Sequence, residues 1–237
     1  MTRAATATGT AKVWDPTIRL FHWLLVALLA FSWWSGENHD MERHRFSGYA
    51  ILALLVFRVF WGFFGPRTAR FSSFVRGPGA VVAYVKSLGK RDGVGTPGHR
   101  ADGHNPLGGW SVVAMLAAVG LMVGAGLFAS DVDGIESGPL AEYVSFAQSE
   151  TAAGVHSTVF NVILALVVLH VVAIVFYLAW KRQNLVRPML TGRRPAHDGE
   201  AEDLRWSPVL ALVGVVIAVA VAWAVSTGFH FGGAPAY

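Results

Sequence analysis

The sequence predicts an all-α integral membrane protein with five membrane-spanning helices. Of its 237 residues, 14% are charged and 54% are hydrophobic, whereas soluble domains contain roughly 25% charged residues. A transmembrane helix needs about 20 consecutive, mainly apolar residues. Five runs approach or exceed this length, at residues 18–35, 44–64, 110–129, 154–180 and 207–228. The polar stretches between these runs are the predicted connecting segments.

Cysteine is absent from the chain. The sequence therefore excludes disulfides, thiolate nucleophiles, cysteine-ligated iron–sulfur clusters and covalent haem attachment through a CxxCH motif. Histidine is the obvious remaining ligand for a metal centre.

Lysine and arginine are distributed unevenly between the connecting segments. They are frequent after the second and fourth runs and sparse after the first, and residues 131–150 contain none. Because cytoplasmic segments carry an excess of positive charge, we expect the N-terminus in the cytoplasm and the C-terminus outside. The net charge of +4 and the isoelectric point near 9.7 thus follow from topology and do not indicate a nucleic-acid partner.

The first span is predicted to follow a flexible cytoplasmic tail at residues 1–12, in which no removable signal peptide is recognisable. Asp15 suits the N-cap and Pro16 the first helical position. His22 then lies about one turn inside the helix, near the cytoplasmic side. On its own it is consistent with an interfacial histidine that binds lipid headgroups.

A short outer loop predicts that the first two spans are antiparallel neighbours, and His44 begins the second span at the outer surface. Gly48 follows it, where a missing side chain would let a large flat ligand approach the backbone. Arg58 lies 14 residues after His44, which is about 21 Å along a helix and nearly the same face. Arg58 therefore reaches the depth of His22, either as a partner for a buried anion or as an arginine that extends to the inner interface.

The longest connection precedes the third span. Residues 78–88 mix apolar and basic side chains and predict a short helix in the membrane interface, and His104 or Asn105 is a candidate cap for the third span. The third span has no titratable side chain. Its Gly120, Gly124 and Gly126 predict tight packing against a neighbouring helix or a ring. The acidic loop after it is a candidate docking surface for a basic redox partner, although topology alone also explains the absence of cations.

The fourth span contains two histidines, His156 and His170, 14 residues apart and therefore on roughly one face with about 21 Å between them. The alternative is two histidines that are merely hydrogen-bonded to neighbouring helices. The fifth span opens at Ser207 and Pro208 and contains no His, Asp, Glu, Lys or Arg. We expect this helix to pack against the others or to recruit a partner.

The predicted depths place the histidines in two pairs, with His22 and His170 near the cytoplasmic side and His44 and His156 near the outer side. Two b-type haems with bis-imidazole ligation account for this pattern, because haem iron takes two axial ligands on opposite faces. Zinc usually needs three or four close ligands. A proton relay would be expected to include an intramembrane carboxylate, which the spans that carry these histidines lack. Haem is the favoured hypothesis.

Five segments of the chain also resemble a known family. They are VWDPTIRLFHW (13–23), HRFSGYAILALLVFRVFWG (44–62), RFSSFVRGPGAVVAYV (70–85), GHNPLGGW (103–110) and the fourth span with its two histidines. They are similar to the bacterial cytochrome b561 family, which includes the b-type cytochrome subunit of membrane-bound nickel-iron hydrogenases. The resemblance covers about residues 12–195, whereas the shortest members of the family end after the fourth helix.

The resemblance implies a four-helix core with two b haems at residues 13–195. The apolar pattern adds a linker and a fifth helix at 196–237. It implies His22, His44, His156 and His170 as axial ligands. It also implies electron exchange between a quinone pool and a second donor or acceptor, such as a periplasmic c-type cytochrome or another oxidoreductase subunit.

Three functions follow as hypotheses. In the favoured one, the chain is an electron-transfer subunit, with quinone reacting near the His22 and His170 haem and with Arg19 and Arg58 stabilising propionates or anionic intermediates. The second is a self-contained superoxide:quinone oxidoreductase. The third is a non-redox membrane protein with structural histidines. Assembly into a homo-oligomer is compatible with each of them.

Overall fold

The computed structural model describes residues 10–88, 105–131, 133, 135–195 and 206–230. These residues form eight α-helices, which are α1 (Pro16–Glu37), α2 (Met41–Phe64), α3 (Phe71–Phe74), α4 (Pro78–Ser87), α5 (Pro106–Phe128), α6 (Phe146–Ala179), α7 (Val186–Thr191) and α8 (Pro208–Ser226). They also form two short strands, β1 (Thr10–Lys12) and β2 (Arg193–Pro195). Five helices, α1, α2, α5, α6 and α8, are long and apolar enough to cross a membrane. The predicted fold class, an all-α membrane protein with five spans, is confirmed.

The long helices begin where the sequence provides caps. The Asp15 carboxylate accepts hydrogen bonds from the backbone N–H groups of Thr17 and Ile18, at 2.9 and 3.0 Å. Asn105 caps α5 and Ser207 caps α8 in the same manner, whereas His104 lies outside the described residues. Such caps satisfy N–H groups that the helix itself cannot bond. The three predicted helix starts are therefore confirmed.

Helix α6 is longer than the fourth apolar run. It contains 34 residues and begins at Phe146, well before the predicted start at residue 154. The reason is a capping box, in which Ser145 and Gln148 bond to each other's backbone N–H groups. The apolar pattern marks only the part of the helix that suits a bilayer, so it missed this polar first segment.

The first two spans are antiparallel, because Asp15 at the start of α1 contacts Trp61 near the end of α2, and Ser32 late in α1 contacts His44 early in α2. Helix α2 also packs against α5 and α8, and α5 packs against α6. One apolar cluster joins α2, α5 and α6, with leucines of α1 at its edge. This cluster is the core of a four-helix bundle.

Helix α8 packs against the outside of this bundle, on α2. Its small residues Ala211, Gly214, Ala218 and Ala222 share one buried stripe. A Cβ atom added at Gly214 would lie 2.7 Å from the Phe60 ring. The fifth helix therefore joins the bundle through close packing, as expected from its composition.

The shorter elements gather at the end of the bundle that carries His22, called here the His22 end; the opposite end is the His44 end. Helix α4 forms at the predicted place. Strand β1 pairs antiparallel with β2, so the last three residues of the predicted tail are ordered in a strand. Residues 1–9 and the linker from 196 to 205 lie outside the described residues.

Candidate functional site

Four histidines meet in two pairs between the spanning helices. The rings of His22 on α1 and His170 on α6 have centroids 6.5 Å apart, with 50° between their planes. The rings of His44 on α2 and His156 on α6 have centroids 5.9 Å apart, with 76° between their planes. The structure thus brings together the pairs that the predicted depths proposed, one at each end of the bundle. Their role as metal ligands stays a prediction.

The ring separations suit one metal ion between the two imidazoles of each pair. Metal–imidazole nitrogen bonds are about 2 Å long, and a ring centroid lies about 1 Å behind its nitrogen, so two trans imidazoles have centroids about 6 Å apart. The observed separations of 6.5 and 5.9 Å lie on either side of that value. The centroid separations are thus those that the two imidazoles of a pair would have if they held one metal ion between them.

Hydrogen bonds orient both rings of the His44–His156 pair. The Nδ1 atom of His44 lies 2.9 Å from the Ser32 carbonyl oxygen, and Nδ1 of His156 lies 2.8 Å from the Met122 carbonyl oxygen. A carbonyl can only accept, so Nδ1 carries the proton and donates it in each bond. This arrangement directs Nε2, the other ring nitrogen, to any metal that the pair would hold, as is usual for metal-bound histidine.

The His22–His170 pair is held differently. The Nδ1 atom of His22 is buried and has no hydrogen-bond partner among the described residues. Its ring instead meets the edge of Trp23, with centroids 4.9 Å apart. A buried polar atom without a partner is costly unless the site supplies one. Among the described residues, His22 therefore lacks the carbonyl bond that orients both rings at the other end.

The donor set favours haem over a bare metal ion. In the described part of the chain, no group of three or more His, Cys, Asp or Glu residues is placed to hold a metal. Two imidazoles per site leave most positions of a tetrahedral or octahedral ion to other ligands. A porphyrin provides four nitrogen ligands in one plane and needs two axial ligands from the protein. The histidine pairs fit that requirement.

Arg58 lies buried at the His22 end, 4% exposed, as its predicted depth requires. Its guanidinium donates to the Ala69 carbonyl oxygen at 3.2 Å and lies over the Phe71 ring, 4.8 Å from the centroid. The segment that follows α2 thus already provides Arg58 with an acceptor and an aromatic face.

Arg19 lies one turn before His22 on α1. One nitrogen of its guanidinium donates to the Leu190 carbonyl oxygen at 2.6 Å and so ties α7 to α1. Its Nε atom is buried and has no partner among the described residues. The Nε–H group of Arg19 is therefore a buried donor that a bound anion could use.

The glycines of α5 differ in what they contact. An added Cβ at Gly126 would lie 2.8 Å from Nδ1 of His156, whereas one at Gly120, Gly124 or Gly48 would meet no atom within 4 Å. Tight packing against a neighbouring helix is therefore confirmed for Gly126, which meets His156 of α6, and is wrong for Gly120 and Gly124. Packing of these glycines against the ring of a ligand stays a prediction. Gly48 keeps the open backbone that the sequence suggested.

Sequence reasoning missed the carbonyl oxygens of Ser32 and Met122 as partners of the histidines. Every residue carries a carbonyl, so no residue type marks these positions. Gly36 was missed as well, although an added Cβ there would lie 3.1 Å from Nδ1 of His44. A glycine near the end of an apolar helix was the one available signal.

Comparison with known proteins identifies one family. The family model for prokaryotic cytochrome b561 matches residues 13–192. That region is most of the chain, contains all four histidines and ends before α8. No curated protein and no solved structure matches the chain.

Proposed function

The chain belongs to the prokaryotic cytochrome b561 family, and on this premise we propose that it carries electrons between a quinone pool and a periplasmic redox partner through two bis-histidine b haems. Membership of the family establishes transmembrane electron transfer by b-type haem. The five spanning helices make the chain a multi-pass membrane protein. Because the family transfers electrons through haem, the hypothesis of a non-redox membrane protein is set aside.

The observation that carries the proposal is the placement of two histidine pairs at the two ends of one helix. His156 and His170 both lie on α6, and their 14-residue separation corresponds to a rise of about 21 Å. A haem supplies a one-electron Fe(III)/Fe(II) couple when bound. The helices hold the four rings, fix the spacing between the pairs and keep water out of the bundle core. Two redox groups at that spacing would together cross most of the bilayer.

The proposed orientation rests on charge. Basic residues concentrate at the His22 end, which we assign to the cytoplasmic side of a bacterial inner membrane, with the C-terminus in the periplasm. Acidic residues concentrate in the connection between α5 and α6 at the His44 end. Part of this acidic charge is neutralised within the chain, because Arg45 pairs with Glu136. Glu142 in turn forms a hydrogen bond with His230.

The partners are proposed from this orientation. A c-type cytochrome or another oxidoreductase subunit with a basic surface would approach the acidic connection at the His44 end. Quinone would react at the His22 end, within reach of the membrane interior. A homo-oligomer is compatible with this arrangement, because the two reacting ends lie at opposite membrane surfaces.

The two arginines enter the proposal in different ways. We propose that Arg19 donates its free Nε–H to a haem propionate or an anionic quinone at the His22 end, because that atom is buried next to the histidine-bearing turn. Arg58 already bonds to Ala69, so we assign it an electrostatic contribution through its positive charge.

Haem stoichiometry and redox spectra of single histidine variants test the proposal. His22→Ala and His170→Ala should each remove one haem, and His44→Ala and His156→Ala should each remove the other. The matched control is His39→Asn, at an exposed histidine with φ of 57° that asparagine tolerates. Full haem content in all four alanine variants would refute the ligand assignment. Electron transfer from reduced c-type cytochrome to a quinone analogue in membrane vesicles tests the partners.

A further inference from the structure

Both histidines of the His44–His156 pair are held by the same local arrangement on the neighbouring helix. His44 bonds to the Ser32 carbonyl and lies against Gly36, and His156 bonds to the Met122 carbonyl and lies against Gly126. In each case the glycine follows the carbonyl by four residues. One arrangement is on α1 and the other on α5, so it occurs twice in unrelated segments of the chain. We call it the carbonyl–glycine contact.

Helix geometry explains why the position four residues after the carbonyl is glycine. In an α-helix the Cα–Cβ bond tilts toward the N-terminus, so the side chain at i+4 lies over the turn that contains residue i. An added Cβ would lie 3.1 Å from Nδ1 of His44 at Gly36 and 2.8 Å from Nδ1 of His156 at Gly126. Any larger residue would push the imidazole away from the carbonyl that it binds.

We propose that Gly36 and Gly126 are positioning residues that hold the His44–His156 imidazoles on their carbonyl acceptors. The reduction potential of the haem at this pair is thereby lower than that of the haem at the His22–His170 pair. The inference rests on the proposed function, since it requires a haem at each pair.

Hydrogen bonding at Nδ1 is the physical cause. Donation of the Nδ1 proton to a carbonyl increases the electron density at Nε2, so the imidazole becomes a stronger donor to iron. A stronger donor stabilises the ferric over the ferrous state, which lowers the potential of the one-electron couple. Both rings of the His44–His156 pair have this bond, whereas Nδ1 of His22 has no partner among the described residues.

The competing explanation is that the glycines serve only close helix packing. Helices α1 and α2 do pack together, as do α5 and α6. A packing role predicts lower stability in glycine variants with unchanged haem properties. A positioning role predicts a change in one haem and not in the other, so the potential of each haem is the readout that separates the two.

The test compares Gly126→Ala and Gly36→Ala with Gly154→Ala in the full-length chain. Gly154 is an exposed residue of α6, close to His156 in sequence, and a Cβ atom there meets nothing within 4 Å. Redox titration followed by optical and low-temperature electron paramagnetic resonance spectra gives the potential and ligand field of each haem. The His22→Ala and His44→Ala variants assign the two signals.

We expect the haem of the His44–His156 pair to titrate at the lower potential in the unsubstituted chain. Gly126→Ala should shift the reduction equilibrium of this haem about tenfold toward the ferrous state. For a one-electron couple this is a rise in potential of about 59 mV. Gly36→Ala should have a smaller effect in the same direction, because its clash is milder. The other haem should keep its potential in both variants, and Gly154→Ala should change neither.

The inference is overturned if the two haems titrate in the opposite order, if a glycine variant shifts both haems equally or neither, or if Gly154→Ala has the same effect. An unchanged signal of the His22–His170 haem shows that a variant is folded. If the Gly126→Ala protein does not accumulate, Gly36→Ala, with its milder clash, provides the test instead. Failure of the proposed function would look different, since the unsubstituted chain would then lack two separable haems.

Discussion

Replacement of Asp15 is expected to destabilise the His22 end of the bundle more than any other single cap. Asp15 is fully buried, and one carboxylate oxygen accepts from the N–H groups of Thr17 and Ile18. The other oxygen accepts from the Trp61 indole N–H at 3.4 Å, and the buried Arg58 contributes positive charge nearby. One side chain thus caps α1, satisfies an indole on α2 and faces a buried cation.

The magnitude follows from the groups left without a partner. Loss of an N-cap costs about 1 kcal/mol, and a buried indole N–H without an acceptor costs about 1–3 kcal/mol. Asp15→Ala should therefore lower the free energy of unfolding by about 2–4 kcal/mol. Asp15→Asn keeps the cap through its single amide oxygen, but its NH2 group then faces the Trp61 indole N–H, which loses its acceptor. The cost should therefore lie below that of alanine by the contribution of the cap, at about 1–3 kcal/mol.

Unfolding by a denaturing detergent, followed by tryptophan fluorescence and by haem absorbance, measures both variants against the unsubstituted chain. Trp61→Phe in the Asp15→Ala background is the matched control, because removal of the indole N–H should recover part of the loss. Equal costs for the alanine and asparagine variants would refute the argument from the cap and the indole. A difference of less than about 0.5 kcal/mol from the unsubstituted chain in both would refute it as well.

Three further changes test other contacts. Gly214→Leu should overpack the contact with Phe60 and detach α8 at a cost of about 1–3 kcal/mol. Proteolysis should then cleave the loosened α8 faster, while the haem spectra stay unchanged. Burial and the hydrogen bond to Tyr177 raise the pKa of Tyr84. The neutral hydroxyl therefore stabilises the fold below about pH 10, where free tyrosine ionises, and this contribution is lost as the pH rises further. The melting temperature of Tyr84→Phe should thus depend less on alkaline pH than that of the unsubstituted chain. Ser145→Ala should lower the stability of α6 by about 1 kcal/mol through loss of its capping box, measured by thermal melting, with Ser157→Ala within the same helix as the control.

The features of the fold that the sequence predicted are those that depend only on the residues within one helix and next to its ends. Five spans, the caps Asp15 and Ser207 and the short helix α4 follow from composition, hydropathy and turn chemistry within a few neighbouring residues. The pairing of the histidines was also predictable, since a membrane supplies a common depth axis and helix geometry converts residue number into depth. Soluble folds offer no such axis.

The contacts that the sequence did not predict depend on which helices are neighbours. Depth arguments put His44 beside the end of α1, yet they do not say that its ring binds the Ser32 carbonyl. Arg58 was expected at a depth where a propionate could reach it, and the structure also provides Ala69 as an acceptor from the segment after α2. Rotation of each helix about its own axis decides such contacts, and that rotation is set by packing.

The division of the histidines between helices separates two properties of the proposed haem sites. One member of each pair lies on α6, so a single continuous helix sets the spacing between the pairs. The partners lie on α1 and α2, so the placement of these helices relative to α6 sets the geometry within each pair. A substitution between helices is therefore expected to change one pair alone, whereas a break in α6 is expected to change the spacing between the two pairs.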